Sequence, residues 1–177
     1  MIANDQTWEG VRRMKNLFYT VAFAIVLTVS GSACAGEKIT IGAVEKVFLM
    51  PWGIPLEARI DTREPNTCLD VRDLRVSDNT VEFRLPERYG GLQLRLPLIG
   101  WLRSKTTDEE YPQLRPAVEM DLLLGGVKIR AQVALDDHSY MEYPIIIGMR
   151  TLTQGEFLID VSRSHMLTPT PFKKVLP

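Results

Sequence analysis

The chain has 177 residues, of which 45% are hydrophobic and 24% charged, with a formal net charge of −1. That length holds one domain of ordinary size plus an extension, and that balance excludes a disordered chain. Near-neutral charge without a long Lys/Arg run leaves no electrostatic case for nucleic acid, so no nucleic-acid partner is expected.

The first segment has the anatomy of an export signal. Arg12, Arg13 and Lys15 precede the apolar run "LFYTVAFAIVLTV", and the small residues "SGSACAG" follow. A charged start, an apolar core too short to span a bilayer with ease, and a small-residue zone together mark a secretory signal; the competing reading is an uncleaved N-terminal anchor. Ala33-Cys34-Ala35 fits cleavage before Gly36, and the alternative is lipidation at Cys34. The expected organisation is therefore a signal over residues 1–35 and one domain over 36–177, exported to the periplasm or envelope. Membrane contact is expected only through that signal or a lipid. Cys34 and Cys68 are the two cysteines. If Cys34 leaves with the signal, Cys68 has no partner within the chain and is expected to be a buried, apolar-like residue.

Past the signal, apolar residues recur with the period of strands. "KITIGAVEKVFL" alternates, and "IPLEARID" is the next strand, running into the turn "TREPN". "NTVEFRLP" and "GLQLRLPL" alternate again. Residues 103–116 are polar, carry two prolines and read as a mobile loop. In "AVEMDLLLGGVKIRAQVAL" a Gly-Gly pair separates two alternating runs, a strong hairpin signal. "YPIIIG" is the continuous apolar run of a strand buried on both faces. "MRTLTQG" offers one short helix ended by Gly155, and "GEFLIDVSRSHML" closes the chain as a strand. The expected fold is mainly β: one barrel or closed sheet of short strands with one short helix.

Few chemistries survive this pattern. The histidines, His138 and His165, have no H-E-x-x-H spacing, and Cys68 lacks a C-x-x-C neighbour, so no metal site is expected. "LLGGVKIR" lacks the ending of a phosphate loop and sits in a hairpin, and no nucleophile elbow is present. No cofactor is expected. What remains is Asp61-Thr62, where a strand ends in a carboxylate. A pair of such carboxylates a few ångströms apart cannot both ionise, so one keeps a proton; one can activate a water while the other protonates a carbonyl oxygen. A single Asp is half of that site, and a two-fold dimer would supply the rest from the same residue. The plainer reading of Asp-Thr at a strand end is a turn residue.

More than the dipeptide matches a known pattern. "IGAVEKVFLMPWGIPLEARIDT", with Gly42 and Glu45, resembles the opening strand and Asp-Thr-Gly-Ala turn of the bacterial retropepsin-like aspartic proteases, often labelled ATP-dependent zinc proteases. "LRPAVEMDLLLGGVKIRAQVALDDHSYMEYPIIIGMRTLTQGEFLIDVSRSHML" resembles that family's Arg-Pro-x-Val strand, Leu-Gly-Gly hairpin, Asp-Arg-Ser segment, apolar strand ending in Gly, and final strand. The resemblance covers most of residues 41–167. It implies a retropepsin-like closed β-barrel, a homodimer, a peptide or protein substrate, and peptide-bond hydrolysis with Asp61 as the catalytic carboxylate. Thr62 would hydrogen-bond across the dimer axis. Ile146, Ile147 and Gly148 would back the active-site loop, with Arg63, Ile147 and Gly148 as substrate-side positions. Arg115, Asp137, Ser139 and Met141 match positions of structural character. Nothing in the residues supports zinc or ATP.

The departures set two readings against each other. Asp61-Thr62-Arg63-Glu64 replaces Asp-Thr-Gly-Ala, and His138 replaces the family's Arg. Glycine permits a tight turn and close approach. Arginine is bulky, and its charge lowers the pKa of a neighbouring carboxylate, while Pro65 stiffens the turn. Intact Asp61-Thr62 favours an aspartic endopeptidase. Arg63-Glu64 favours a silenced relative acting as an envelope binding or regulatory protein. In a third arrangement Arg63 pairs with Glu64 and points away from Asp61.

Overall fold

The computed structural model describes residues 38–103, 113–137 and 142–167. The chain divides into two units, Met1–Glu37 and Lys38–Pro177, and every element below belongs to the second. The signal expected over 1–35, Cys34, and His138, Ser139 and Met141 lie outside the described residues.

Among the described residues twelve strands, one α-helix and a 3-10 turn at Glu87–Tyr89 follow, the strands and α-helix in chain order being β1 (Thr40–Gly42), β2 (Val44–Met50), β3 (Ile54–Ile60), β4 (Thr67–Asp70), β5 (Arg72–Ser77), β6 (Thr80–Arg84), β7 (Gln93–Pro97), β8 (Gly100–Arg103), β9 (Leu114–Leu124), β10 (Val127–Asp136), β11 (Ile145–Ile147), α1 (Met149–Gln154) and β12 (Leu158–Asp160). Strands run in the order β10-β4-β11-β3-β2-β9, and β9 pairs with β10 to close the ring. The result is the expected mainly β fold, a closed six-stranded barrel with one short helix. Closure removes sheet edges that would otherwise recruit other chains.

The hairpin of β9 and β10 is the longest pairing, from Val127↔Leu124 to Ala134↔Ala117. Gly125 and Gly126 both take positive φ, 58° and 81°. A two-residue turn matched to the strand twist demands this of both positions, and glycine meets it without strain. Alternation puts Leu122, Leu124, Ile129, Ala131 and Val133 inside. Leu56 and Ala58 of β3 and Ile145 and Ile147 of β11 fill the same core. A separate antiparallel sheet, β5-β6-β7, adds Val81, Phe83 and Leu94 to it.

Three expected elements differ. "KITIGAVEKVFL" is two strands, because at Ala43 the chain turns to other partners: the Ala43 N–H donates to Arg163 O at 2.7 Å, and Ala43 O accepts from Ile60 N at 2.9 Å. The closing run is a strand only over Leu158–Asp160, paired in parallel with β1. The loop of 103–116 is bounded by strand at both ends, since β8 runs to Arg103 and β9 begins at Leu114, with Arg103 opposite Leu114; residues 104–112 lie outside the described residues.

After β12 the chain folds back over β1 and β2 and is held by a buried carboxylate. Glu45 is fully buried. Its Oε1 accepts from Gly42 N at 2.7 Å and Met166 N at 2.9 Å, and its Oε2 accepts from Leu167 N at 3.2 Å. Gly42 makes room for this segment: a Cβ there would lie 2.6 Å from Arg163 O. Burying a charge is tolerable only when hydrogen bonds replace its water. Glu45→Ala, which strands these three amides, is expected to lower unfolding stability by about 3 kcal/mol. Urea denaturation followed by circular dichroism checks this, with the midpoint falling at unchanged slope.

Candidate active site

The site begins where β3 leaves the sheet. β11 lies between β3 and β4, parallel to β3 (Ile147↔Ile60) and antiparallel to β4 (Ile146↔Cys68). The loop from Asp61 to Asn66 therefore has to pass over the end of β11, crossing two strand spacings, roughly 10 Å. Asp61 starts the crossing, and its N–H donates to Ile147 O at 3.1 Å.

The Asp61 side chain then shapes the turn. Arg63 N donates to Asp61 Oδ1 at 2.9 Å, the local bond by which an aspartate mimics a backbone turn. Arg63 is not among the residues of positive φ. The turn therefore makes no demand here that only glycine could meet, and replacement of the family's Gly leaves the loop's path unstrained. What Arg63 adds is charge. Its Nε lies 3.5 Å from Asp61 Oδ1, and the two side chains are 76% and 17% exposed. The arrangement in which Arg63 points away from Asp61 is thus overturned.

Burial is the largest single influence on Asp61 and raises its pKa. The Arg63 N–H, the Arg63 guanidinium and the charge of Arg59 together outweigh it, so the carboxyl ends below its ordinary value. The charged groups acting on Asp61 are both arginines. Among the described residues, none of the charged groups acting on Asp61 is an acid.

The rest of the loop is fixed to the corner between β11 and α1. Met149 N donates to Glu64 O at 2.8 Å and Arg150 N to Pro65 O at 3.2 Å. Gly148 is where the two segments touch: a Cβ on it would sit 2.3 Å from Asn66 O. Gly148 N donates to Thr67 Oγ1 at 3.2 Å, and that hydroxyl lies 2.7 Å from Thr151 Oγ1. Asn66 Nδ2 donates to Arg103 O at 3.0 Å, tying the loop to the end of β8. Asp61, Ile147 and Gly148 are therefore brought together. Thr62 and Arg63 are exposed at the apex, while Ile147 and Gly148 are buried beneath it.

Farther away, Arg115 is buried and ion-paired with Asp136, and Asp137 lies 3.2 Å from Arg72 Nη1. Burial pushes the Cys68 thiol up to about 12, against the pull of the nearby Arg115, so it is an inert thiol at any ordinary pH. Asn66, Thr67 and Thr151 were not singled out by the sequence. No local pattern marks them, because their partners lie across the fold.

A closed barrel with an Asp-Thr loop spanning an inserted strand defines a retropepsin-like domain. Residues 40–170 match the RimB-like family, described as retropepsin-like aspartic endopeptidase RimB. The chain belongs to this family. Among solved structures it is similar to a protein of unknown function, Lpg0085, from Legionella pneumophila, with a TM-score of 0.64 and 19% identity over 75% of this chain and 100% of that one. At that identity the likeness speaks for the fold alone. No curated protein matches the chain.

The Gly148 contact generates a direct expectation. Gly148→Ala drives a methyl into the Asn66 carbonyl, and such overpacking is expected to cost about 3 kcal/mol. Denaturation measures the loss, and hydrogen exchange at the Met149 amide, which bonds Glu64 O, is expected to speed up.

Proposed function

We propose that the protein is an exported aspartic endopeptidase whose working unit is a homodimer, with one Asp61 from each copy forming the catalytic dyad. The observation that supports this best is the placement of Asp61: a partly exposed carboxylate on a loop pinned at both ends to β11 and α1. A turn residue needs no such bracing. Apposed across a two-fold axis, two of these loops would bring the carboxylates together. One then removes a proton from a water held between them, and the water oxygen attacks the peptide carbonyl. The other, protonated, gives its proton to the carbonyl oxygen to form a tetrahedral gem-diol; on collapse this second carboxylate takes back a hydroxyl proton, and the first gives the proton it took from water to the amide nitrogen, which leaves as the amine. Thr62, exposed beside Asp61, would hydrogen-bond the opposite copy. Arg63 stands at the mouth of the site, where it meets the incoming chain. The substrate is a peptide or protein of the envelope.

Arg63 changes the pH at which this works. In the usual dyad, mutual repulsion keeps one carboxyl protonated. Here each carboxylate carries its own guanidinium, so the doubly ionised state is favoured and the shared proton is retained only in more acid solution. The second reading follows from the same contact: a dyad stripped of its proton at the pH of the envelope is silent, and the protein serves there as a binding or regulatory relative.

Cleavage of a mixed peptide library by the purified protein is expected to peak at acid pH and to vanish in Asp61→Ala. Arg63→Gly is expected to move the acid optimum upward. An optimum that stays in place would sink the role given to Arg63. Cleavage by Arg63→Gly combined with Glu64→Ala, but by wild type at no pH, would decide for the silenced relative.

The same shift has a stability consequence. Asp61 has a lowered pKa in the folded chain. Its contribution is therefore fully present above the ordinary Asp value, ~3.9, and is lost as pH falls through the lowered one. Arg63→Ala is expected to shrink that contribution, so that once pH has fallen below the lowered value wild type and variant unfold at closely similar denaturant concentrations, while near neutrality the variant unfolds slightly earlier.

A further inference from the structure

We propose that Thr67, backed by Thr151, is a positioning residue for Asp61: its hydroxyl fixes the far end of the loop and thereby the direction in which the carboxylate is presented. This rests on reading Asp61 as the working carboxylate.

The loop has two ends and two kinds of anchor. At Asp61 the anchor is backbone, N–H to Ile147 O. In the middle it is backbone again, with the Glu64 and Pro65 carbonyls accepting from Met149 and Arg150. At the far end it is a side chain. The Gly148 N–H bonds the Thr67 hydroxyl rather than a backbone carbonyl. Thr67 is fully buried and Thr151 is 2% exposed, so no water replaces either hydroxyl if it is lost. A hydroxyl has one proton and two lone pairs. Thr67 Oγ1 uses one lone pair on Gly148 N, and either its proton or its other lone pair on Thr151 Oγ1. Thr151 lies in α1, the element whose first amides hold the loop's middle. The pair thus links β4 to α1 at the place where Gly148 allows Asn66 to press against the corner.

Removing the Thr67 hydroxyl leaves a buried N–H unsatisfied and frees the corner to shift under the loop. The bonds that would feel the shift are the weak local ones at the apex, Arg63 N and Arg63 Nε on Asp61 Oδ1. A residue that merely filled space would not reach them.

The test is a carbon-detected NMR titration of the Asp61 carboxyl in the full chain, assigned with Asp61→Asn. Thr67→Val keeps the shape and deletes the hydroxyl; Thr67→Ser keeps the hydroxyl and deletes the methyl. In Thr67→Val the Asp61 midpoint is expected to rise toward the ordinary Asp value, while Thr67→Ser titrates as wild type. Thr151→Val, which spares the Gly148 acceptor, is expected to give a smaller rise. Where cleavage is measurable, Thr67→Val lowers kcat more than it raises KM. An unmoved midpoint in a folded Val variant overturns the proposal, as does a Ser variant that behaves like Val. Failure of both Val variants to fold would assign the pair to folding and overturn positioning. If the wild type cleaves nothing, the protease reading fails while the titrations still decide this one.

Discussion

The insertion of β11 between β3 and β4 is the constraint on which the site depends. Without it, β3 and β4 would be an ordinary hairpin pair, and Asp61 an ordinary turn residue. With β11 seated between them, the connection must bridge two strand spacings and cannot close on itself through ladder bonds. Its polar groups have to find partners elsewhere, because buried backbone amides and carbonyls are seldom left unpaired. They find them in the strand they cross and the helix that follows it: Ile147 O, then the first amides of α1. One short stretch, Ile145 to Thr151, thus fills the barrel core and fixes the loop above it. Coupling of core and loop explains why Gly148 leaves no space: it is where a strand, a helix and the loop meet.

Arg63 acts on chemistry far more than on the fold. An ion pair whose cation is 76% exposed contributes on the order of 0–1 kcal/mol to folding. A similar energy applied to proton sharing has larger consequences, because a tenfold change in the protonated fraction corresponds to only ~1.4 kcal/mol. The guanidinium therefore helps hold the Asp61 carboxyl below its ordinary value while leaving the loop's path untouched. Backbone φ separates these two effects. Had Arg63 been forced into a left-handed conformation, strain would have accompanied the charge; it is not.

Legibility followed the kind of signal each element carries. The β9–β10 hairpin was readable because alternation and a Gly-Gly turn agree. β11 was readable as three isoleucines before a glycine, and Asp61 because a carboxylate ends an alternating strand. β4 was not readable: Thr67-Cys68-Leu69-Asp70 shows no apolar alternation, yet all four are buried. It is a central strand whose polar side chains are satisfied by hydrogen bonds, Thr67 by Thr151 across the fold and Asp70 by Arg72 two residues along. β8 was hidden in a four-residue run, Gly100–Arg103, whose place is set by pairing with β9. The loop's anchors escaped for the same reason, since hydrogen bonds between residues more than 80 positions apart, as between Thr67 and Thr151, leave no periodic trace. The turn at Arg63 was misjudged in a different way. A glycine in a family pattern suggests a conformational need, and here the Asp61 carboxylate, bonding Arg63 N, makes the turn in any case.

The anchors of the loop also differ from its apex in what pH can do to them. The hydrogen bonds that tie the loop to the β11–α1 corner join backbone amides, carbonyls and two threonine hydroxyls. None of these groups titrates between the ordinary carboxylate range and neutrality. The contacts of Asp61 with the Arg63 N–H and guanidinium do titrate. Acid therefore weakens the hold of Arg63 on the carboxylate while leaving the frame that carries it in place. The frame that carries Asp61 is thus held by groups that do not titrate in this range, whereas the contact of Asp61 with Arg63 does.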